Sequence, residues 1–129
     1  MITHDDFKKV EIRVGKILSA EKIPDTDKLL RLSVDFAEFD EKIGPEDGIL
    51  VRTPRPRQII SGIALYFPDP SLLVGKTCMF VTNLEPRVIR GFESNGMLFA
   101  VSTSGTDASP AVFSLLEPNS GIPPGTRAA

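Results

Sequence analysis

The sequence has no tryptophan, one cysteine (Cys78) and one histidine (His4) among its 129 residues. A single cysteine cannot close an internal disulfide, and a single histidine cannot build a His-rich metal site. No Cys-x-x-Cys, His-Glu-x-x-His or glycine-rich phosphate loop is present, and the only histidine lies far from any Gly-x-Ser-x-Gly frame, which is itself missing. Long apolar runs are lacking too. None approaches the roughly 20 residues needed to cross a bilayer, and the N-terminus MITHDDFKKVEIRV has no basic stretch followed by an apolar one. A cytoplasmic chain without membrane contact is expected. Absent also is an excess of positive charge: 15 Lys and Arg stand against 17 Asp and Glu, for a formal net charge of -2. Neutralising phosphates by bulk charge needs a surplus of cations, so global charge argues against a nucleic-acid partner, although it says nothing of where the charges sit.

What is present is ordinary globular material, 41% hydrophobic and 25% charged, enough for one domain spanning residues 1–129. Ten glycines and eleven prolines punctuate short alternating segments, and no long stretch has helical period. Asp5 and Asp6 before Phe7 predict one helical turn. Val10, Ile12 and Val14 alternate with Glu11 and Arg13, opening a first strand that runs to about Ile23, with Gly15 inside it as a bend or bulge. Residues 24–28 are turn chemistry. Leu30, Leu32, Val34 and Phe36 then alternate with Arg31, Ser33 and Asp35 in the cleanest strand of the chain. Residues 37–56 predict a long hairpin with its tip at 44–48, acidic on the way out and basic on the way back. A third strand follows at 58–63, then a short helix at 69–75 with Asp69 as N-cap, Pro70 at its first position and Gly75 after its end. Strands at 76–83 and 96–101 flank a polar loop at 85–95. A Ser/Thr/Gly loop at 102–110, one more strand at 112–116 and an irregular tail complete the chain. Three strands, a short helix, two strands and an extension are the element order of an all-β, five-stranded OB-fold barrel. Such barrels bind on the face of strands two and three, between the loops at 24–28 and 85–95 here.

Within those loops Arg87 and Arg90 stand three apart, and two fixed guanidinium groups suit a phosphate clamp. On residue types alone the modest favourite is a pair of solvated arginines neutralised by Glu85 and Glu93. Asn83, Ser94 and Met97 surround the same loop, either as ligand contacts or as strand caps and core. Arg52, Arg55 and Arg57 form the one locally basic stretch, which either adds potential to the binding face or protects a sheet edge. Asp25 and Asp27 are too few for a metal and serve the turn; Cys78 reads as a small buried residue. No cofactor and no catalytic constellation emerge.

The segments DDFKKVEIRVGKILSAEKIPDTDKLLRLSVDF, RQIISGIALYFPDPSLLVGK, VTNLEPRVIRGFESNGMLFAV and SLLEPNSGIPPGTR, taken in order, resemble the OB-fold tRNA-binding domain. That domain occurs free-standing, at the C-terminus of methionyl-tRNA synthetases and in synthetase-associated cofactors. The resemblance implies noncatalytic recognition of tRNA by shape, in a homodimer whose C-terminal extension helps form the dimer, with an aminoacyl-tRNA synthetase in trans as a further class of partner. Carried over by position, it implies RNA contacts at Lys28, Asn83, Arg87, Arg90, Ser94 and Met97, with Arg52, Arg55 and Arg57 as accessory candidates. It moves Arg87 and Arg90 from solvated to functional. Residues 37–56 depart from the pattern, being longer than the turn usual there. A related branch, secretion chaperones that bind unfolded peptides on the same barrel, supplies the alternative function.

Overall fold

In a computed structural model, which describes residues 1–106 and 108–129, the elements in chain order are α1 (His4–Lys8), β1 (Ile12–Lys22), β2 (Leu30–Asp35), β3 (Phe39–Ile43), β4 (Leu50–Pro54) and β5 (Arg57–Ser61). Two 3-10 turns follow at Ala64–Tyr66 and Pro70–Leu73, then β6 (Thr77–Val81), β7 (Arg87–Ile89), β8 (Phe92–Ser94), β9 (Met97–Leu98), β10 (Ala100–Ser102) and β11 (Phe113–Leu115).

The long first strand organises the rest. Its second half, Lys16 to Lys22, pairs antiparallel with β2, and its first half, Ile12 to Lys16, pairs with β6. β5 adds to β2 and β9 to β6, giving one sheet in the order β5-β2-β1-β6-β9. The sheet curls until its edges nearly meet: Asn95 N donates to Gln58 O at 2.8 Å and Ile60 N to Ser94 Oγ at 3.0 Å. This all-β, nearly closed barrel is filled by the alternation read from the sequence. Leu30, Leu32 and Val34 point inward with none of their surface exposed, while Arg31, Ser33 and Asp35 face outward.

Gly15 does not carry the bulge, which lies where the register slips between Ile17 and Ser19 and turns Leu18 outward. Its absent side chain instead makes room. A Cβ there would stand 2.6 Å from the Phe36 and Val34 side chains and 2.9 Å from Phe80, whose rings meet edge to face at 5.1 Å. The predicted helix at 69–75 is a single 3-10 turn, capped as expected by Asp69 Oδ1 on Ser71 N at 3.1 Å. Four residues are too few to repay the nucleation of an α-helix.

Three segments differ from the sequence reading. The polar loop folds as the β7–β8 hairpin, the fifth strand breaks at Phe99 into β9 and β10, and the tail runs beside the first half of β1. There Val14 N donates to Thr126 O at 2.9 Å and Ala128 N to Ile12 O at 2.8 Å. The loop predicted over 102–110 includes Asp107, which lies outside the described residues. The hairpin at 37–56 is β3–β4, turned at Gly44 to Gly48 as expected, with all ten strand residues exposed, so that it projects from the barrel.

Candidate nucleic-acid interface

Arg87 and Arg90 sit on the β7–β8 hairpin. Its turn residues, Arg90 and Gly91, both have left-handed φ values of 53° and 83°, as a two-residue type I′ hairpin turn requires. Gly91 does this freely, whereas Arg90 does it at some steric cost. The hairpin is fastened along β5: Ser94 Oγ accepts from Ile60 N, and Gln58 Nε2 donates to Glu93 O at 3.0 Å. Cross-strand partners share a face, so Arg87, Ile89, Phe92 and Ser94 lie on one side of the hairpin and the exposed Val88 and Glu93 on the other. The first side borders a cleft of about 100 Å³ with Ile60 and Met97 on its walls.

Ion pairing separates these two arginines from five of the other six. Arg13, Arg31, Arg52, Arg55 and Arg57 each face a carboxylate. Among the described residues neither Arg87 nor Arg90 makes an ion pair, although Glu85 and Glu93 are near in sequence. The same holds for the exposed Lys28, whose backbone carbonyl accepts from Ala64 N at 3.0 Å and so fixes its loop.

The remaining predicted residues divide by what their side chains already touch. Met97 opens β9 with 46% of its surface exposed beside the cleft. Asn83 is spanned at both ends of its amide: Glu11 N donates to Oδ1 at 2.8 Å, and Nδ2 donates to Lys9 O at 2.7 Å. Ser94 is buried, and besides accepting from Ile60 it donates to Gly96 O at 3.3 Å. Both therefore hold segments together. Arg52 stacks over Phe39 at 4.3 Å and pairs with Glu41 at 3.2 Å, while Arg55 lies 3.8 Å from Asp40, both on the projecting hairpin or at its root.

Arg57 does not belong to that arm. It opens β5, donates to both oxygens of Glu38 at 2.7 and 2.8 Å and reaches Thr82 O at 2.6 Å. Arg13 meets the same carboxylate at 3.2 Å, and both guanidinium groups lie 5.4 Å from the centroid of the Phe36 ring. The hydrogen bonds from Arg57, reinforced by the one from Arg13, hold the Glu38 carboxyl down at about 2 against the desolvation that opposes them. Sequence reasoning missed this cluster because its members are 19 and 25 residues apart, with no local pattern joining them. Arg31 and Phe92, whose guanidinium and ring lie 5.1 Å apart, were also missed as a pair.

Elsewhere, Cys78 is fully buried and burial pushes its thiol up to about 11, so its environment is that of a packing residue. Among the described residues no group of three His, Cys, Asp or Glu side chains is arranged to hold a metal, and no helix is long and apolar enough to cross a membrane.

Comparisons with known proteins converge on one family for the chain. The family model described as "Putative tRNA binding domain" matches residues 48–127. A methionine–tRNA ligase of Methanoregula boonei is 45% identical over 127 residues, which is 98% of this chain and 15% of that protein. The chain thus spans a small part of the curated relatives it matches. Among solved structures, a MetRS related protein from Pyrococcus horikoshii is similar with a TM-score of 0.73 and 32% identity, covering 100% of this chain and 98% of that one. The chaperone CsaA from Bacillus anthracis gives a TM-score of 0.70 at 25% identity, covering 100% of this chain and 99% of that one. On the family match and the full-length similarity together, the chain belongs to the tRNA-binding domain family.

Proposed function

We propose that the whole of residues 1–129 is one noncatalytic domain with an OB-type barrel, and that it binds tRNA on the outer face of β2 and β5. The flanking walls of that face are the 24–28 loop and the β7–β8 hairpin. The observation that carries the reading is the pair of exposed arginines, Arg87 and Arg90, which make no ion pair among the described residues, on a hairpin fastened beside β5 in a chain of this family. Their guanidinium groups suit phosphate oxygens, and Lys28 adds a point charge from the opposite wall. Met97 packs against a base or sugar. Asn83 and Ser94 act by positioning, since their polar atoms are already engaged, and Arg57 likewise supports the barrel. Arg52 and Arg55, each facing a carboxylate, are accessory. A homodimer presenting two such faces is the assembly this reading expects, with a synthetase as a further partner.

A gel-shift titration with full-length tRNA, read together with the mass of the complex, tests affinity and stoichiometry at once. Binding that weakens with salt and prefers tRNA over unstructured RNA of equal length supports the reading; equal binding of the two RNAs sinks recognition by shape. A peptide-binding chaperone is the second reading, favoured by the similarity to CsaA and by the exposed Met97. Suppression of client aggregation in high salt, without affinity for tRNA, would select it.

A further inference from the structure

We propose that Arg31 and Phe92 form a stacking platform for an unpaired base of the bound RNA. The proposal rests on the tRNA-binding reading and adds a subsite to its cations. Arg31 lies on the outward side of β2, opposite Glu21 of β1 and Ile60 of β5 in the register of the sheet. Its guanidinium lies over the Phe92 ring at 5.1 Å, and its Nε and Nη2 both donate to the Glu21 carboxylate.

Three consequences follow from that geometry. The ring on one face and the carboxylate at the edge hold a side chain that would otherwise be mobile, so its ordering cost is met before RNA arrives. With 38% of its surface exposed, the Arg31 side chain remains partly accessible beside the ring. And because Glu21 already balances its charge, what Arg31 offers is a flat, weakly hydrated surface more than a free cation, the property on which bases stack.

The position suits the role as well. Arg31 is three residues beyond Lys28, and Phe92 is two beyond Arg90, so the platform joins the two walls of the face. Phe92 shares its side of the hairpin with Arg87. A backbone held by Lys28 on one wall and by Arg87 and Arg90 on the other passes the platform between them.

Stacking and phosphate contact leave different signatures, and a salt series reads them separately. Full-length tRNA is titrated at several salt concentrations against the wild-type chain and the variants Phe92→Leu, Arg31→Lys, Arg31→Ala and Arg87→Ala. Phe92→Leu keeps an apolar side chain at a half-buried site. Arg31→Lys keeps the charge at another half-buried site, which guards the test against a folding defect in either. Expected is a loss of about tenfold for Phe92→Leu and Arg31→Lys with the log–log salt slope unchanged, the behaviour of a lost base stack. Arg87→Ala should instead make the slope shallower by ~0.7–0.9. The platform is overturned if Phe92→Leu and Arg31→Lys bind as the wild type does, or if Arg31→Ala lowers the slope while Arg31→Lys changes nothing, which would make Arg31 a phosphate contact. Wild-type protein without affinity for tRNA would overturn the underlying reading, a result distinct from either of these.

Discussion

At the scale of single residues, the smallest substitution with a large consequence is Gly15→Ala. The added methyl would meet Phe36, Val34 and Phe80 at 2.6 to 2.9 Å, and all three are buried in the same core. None is a flexible chain end that can swing into solvent. Overpacking of this kind costs about 1–3 kcal/mol, and a urea titration should show the midpoint fall with the m-value preserved. Glu38 is the second such residue. It sits between Arg13 and Arg57 with 17% of its side chain exposed, so Glu38→Gln leaves two guanidinium groups over Phe36 without their common anion. Destabilisation on the order of 2 kcal/mol is expected, below the ~3–5 of a fully buried pair broken from one side. The pH dependence has a definite sign. Folding depresses this carboxyl from its ordinary 4.5 to about 2, so its contribution to stability is complete above 4.5 and is lost as pH falls through about 2. Glu38→Gln should remove that share of the acid sensitivity, and denaturant curves between these two pH values would show the variant losing less stability than the parent chain.

At the scale of elements, what was legible in the sequence depended on the length of the pattern. β2 displays three inward residues alternating with three outward ones, and β1 is eleven residues long, so period and turn signals located both. β3–β4 was legible from Gly44 and Gly48 at its tip. The β7–β8 hairpin was not, for two physical reasons. Three-residue strands are too short to display a period, and its I′ turn uses Arg90-Gly91 where Asn-Gly would have announced it. The exposed cations of the candidate site could be read as residue types, but their lack of carboxylate partners could not, because pairing is decided between strands. Arg90 offers a test that separates stability from binding. Asn tolerates the left-handed region far better than Arg, so Arg90→Asn should stabilise the protein by about 0.5–1 kcal/mol in thermal or urea unfolding. The same change removes a guanidinium from the face, so tRNA affinity should fall as stability rises. Loss of both together would mean that Arg90 serves the hairpin and not the RNA.

At the scale of the whole molecule, a net charge of -2 and a nucleic-acid partner are compatible because charge acts where it sits, and several carboxylates are engaged by cations off the proposed face. Glu38 holds Arg13 and Arg57 at the barrel's end, while Glu41 and Asp40 hold Arg52 and Arg55 along the projecting hairpin. Among the described residues, three cations of the proposed face make no ion pair: Lys28, Arg87 and Arg90. That count fixes a quantity that bulk charge cannot. With ~0.7–0.9 counterions released per neutralised phosphate, one face should give a log–log salt slope of about -2 to -3. A homodimer engaging one tRNA with both faces should double it to about -4 to -5. Measured between low and physiological salt, the slope therefore counts engaged faces, and the mass of the complex provides the independent count against which to check it. A slope near zero would remove Lys28, Arg87 and Arg90 from the interface altogether. One much steeper than the two-face value would require further cations to reach phosphate, among them the arginines now bound to Glu38, Asp40 and Glu41. If those arginines leave their carboxylates on binding, Glu38→Gln, which takes the shared carboxylate from Arg13 and Arg57 while Glu11 still faces Arg13, would raise affinity for tRNA instead of leaving it unchanged.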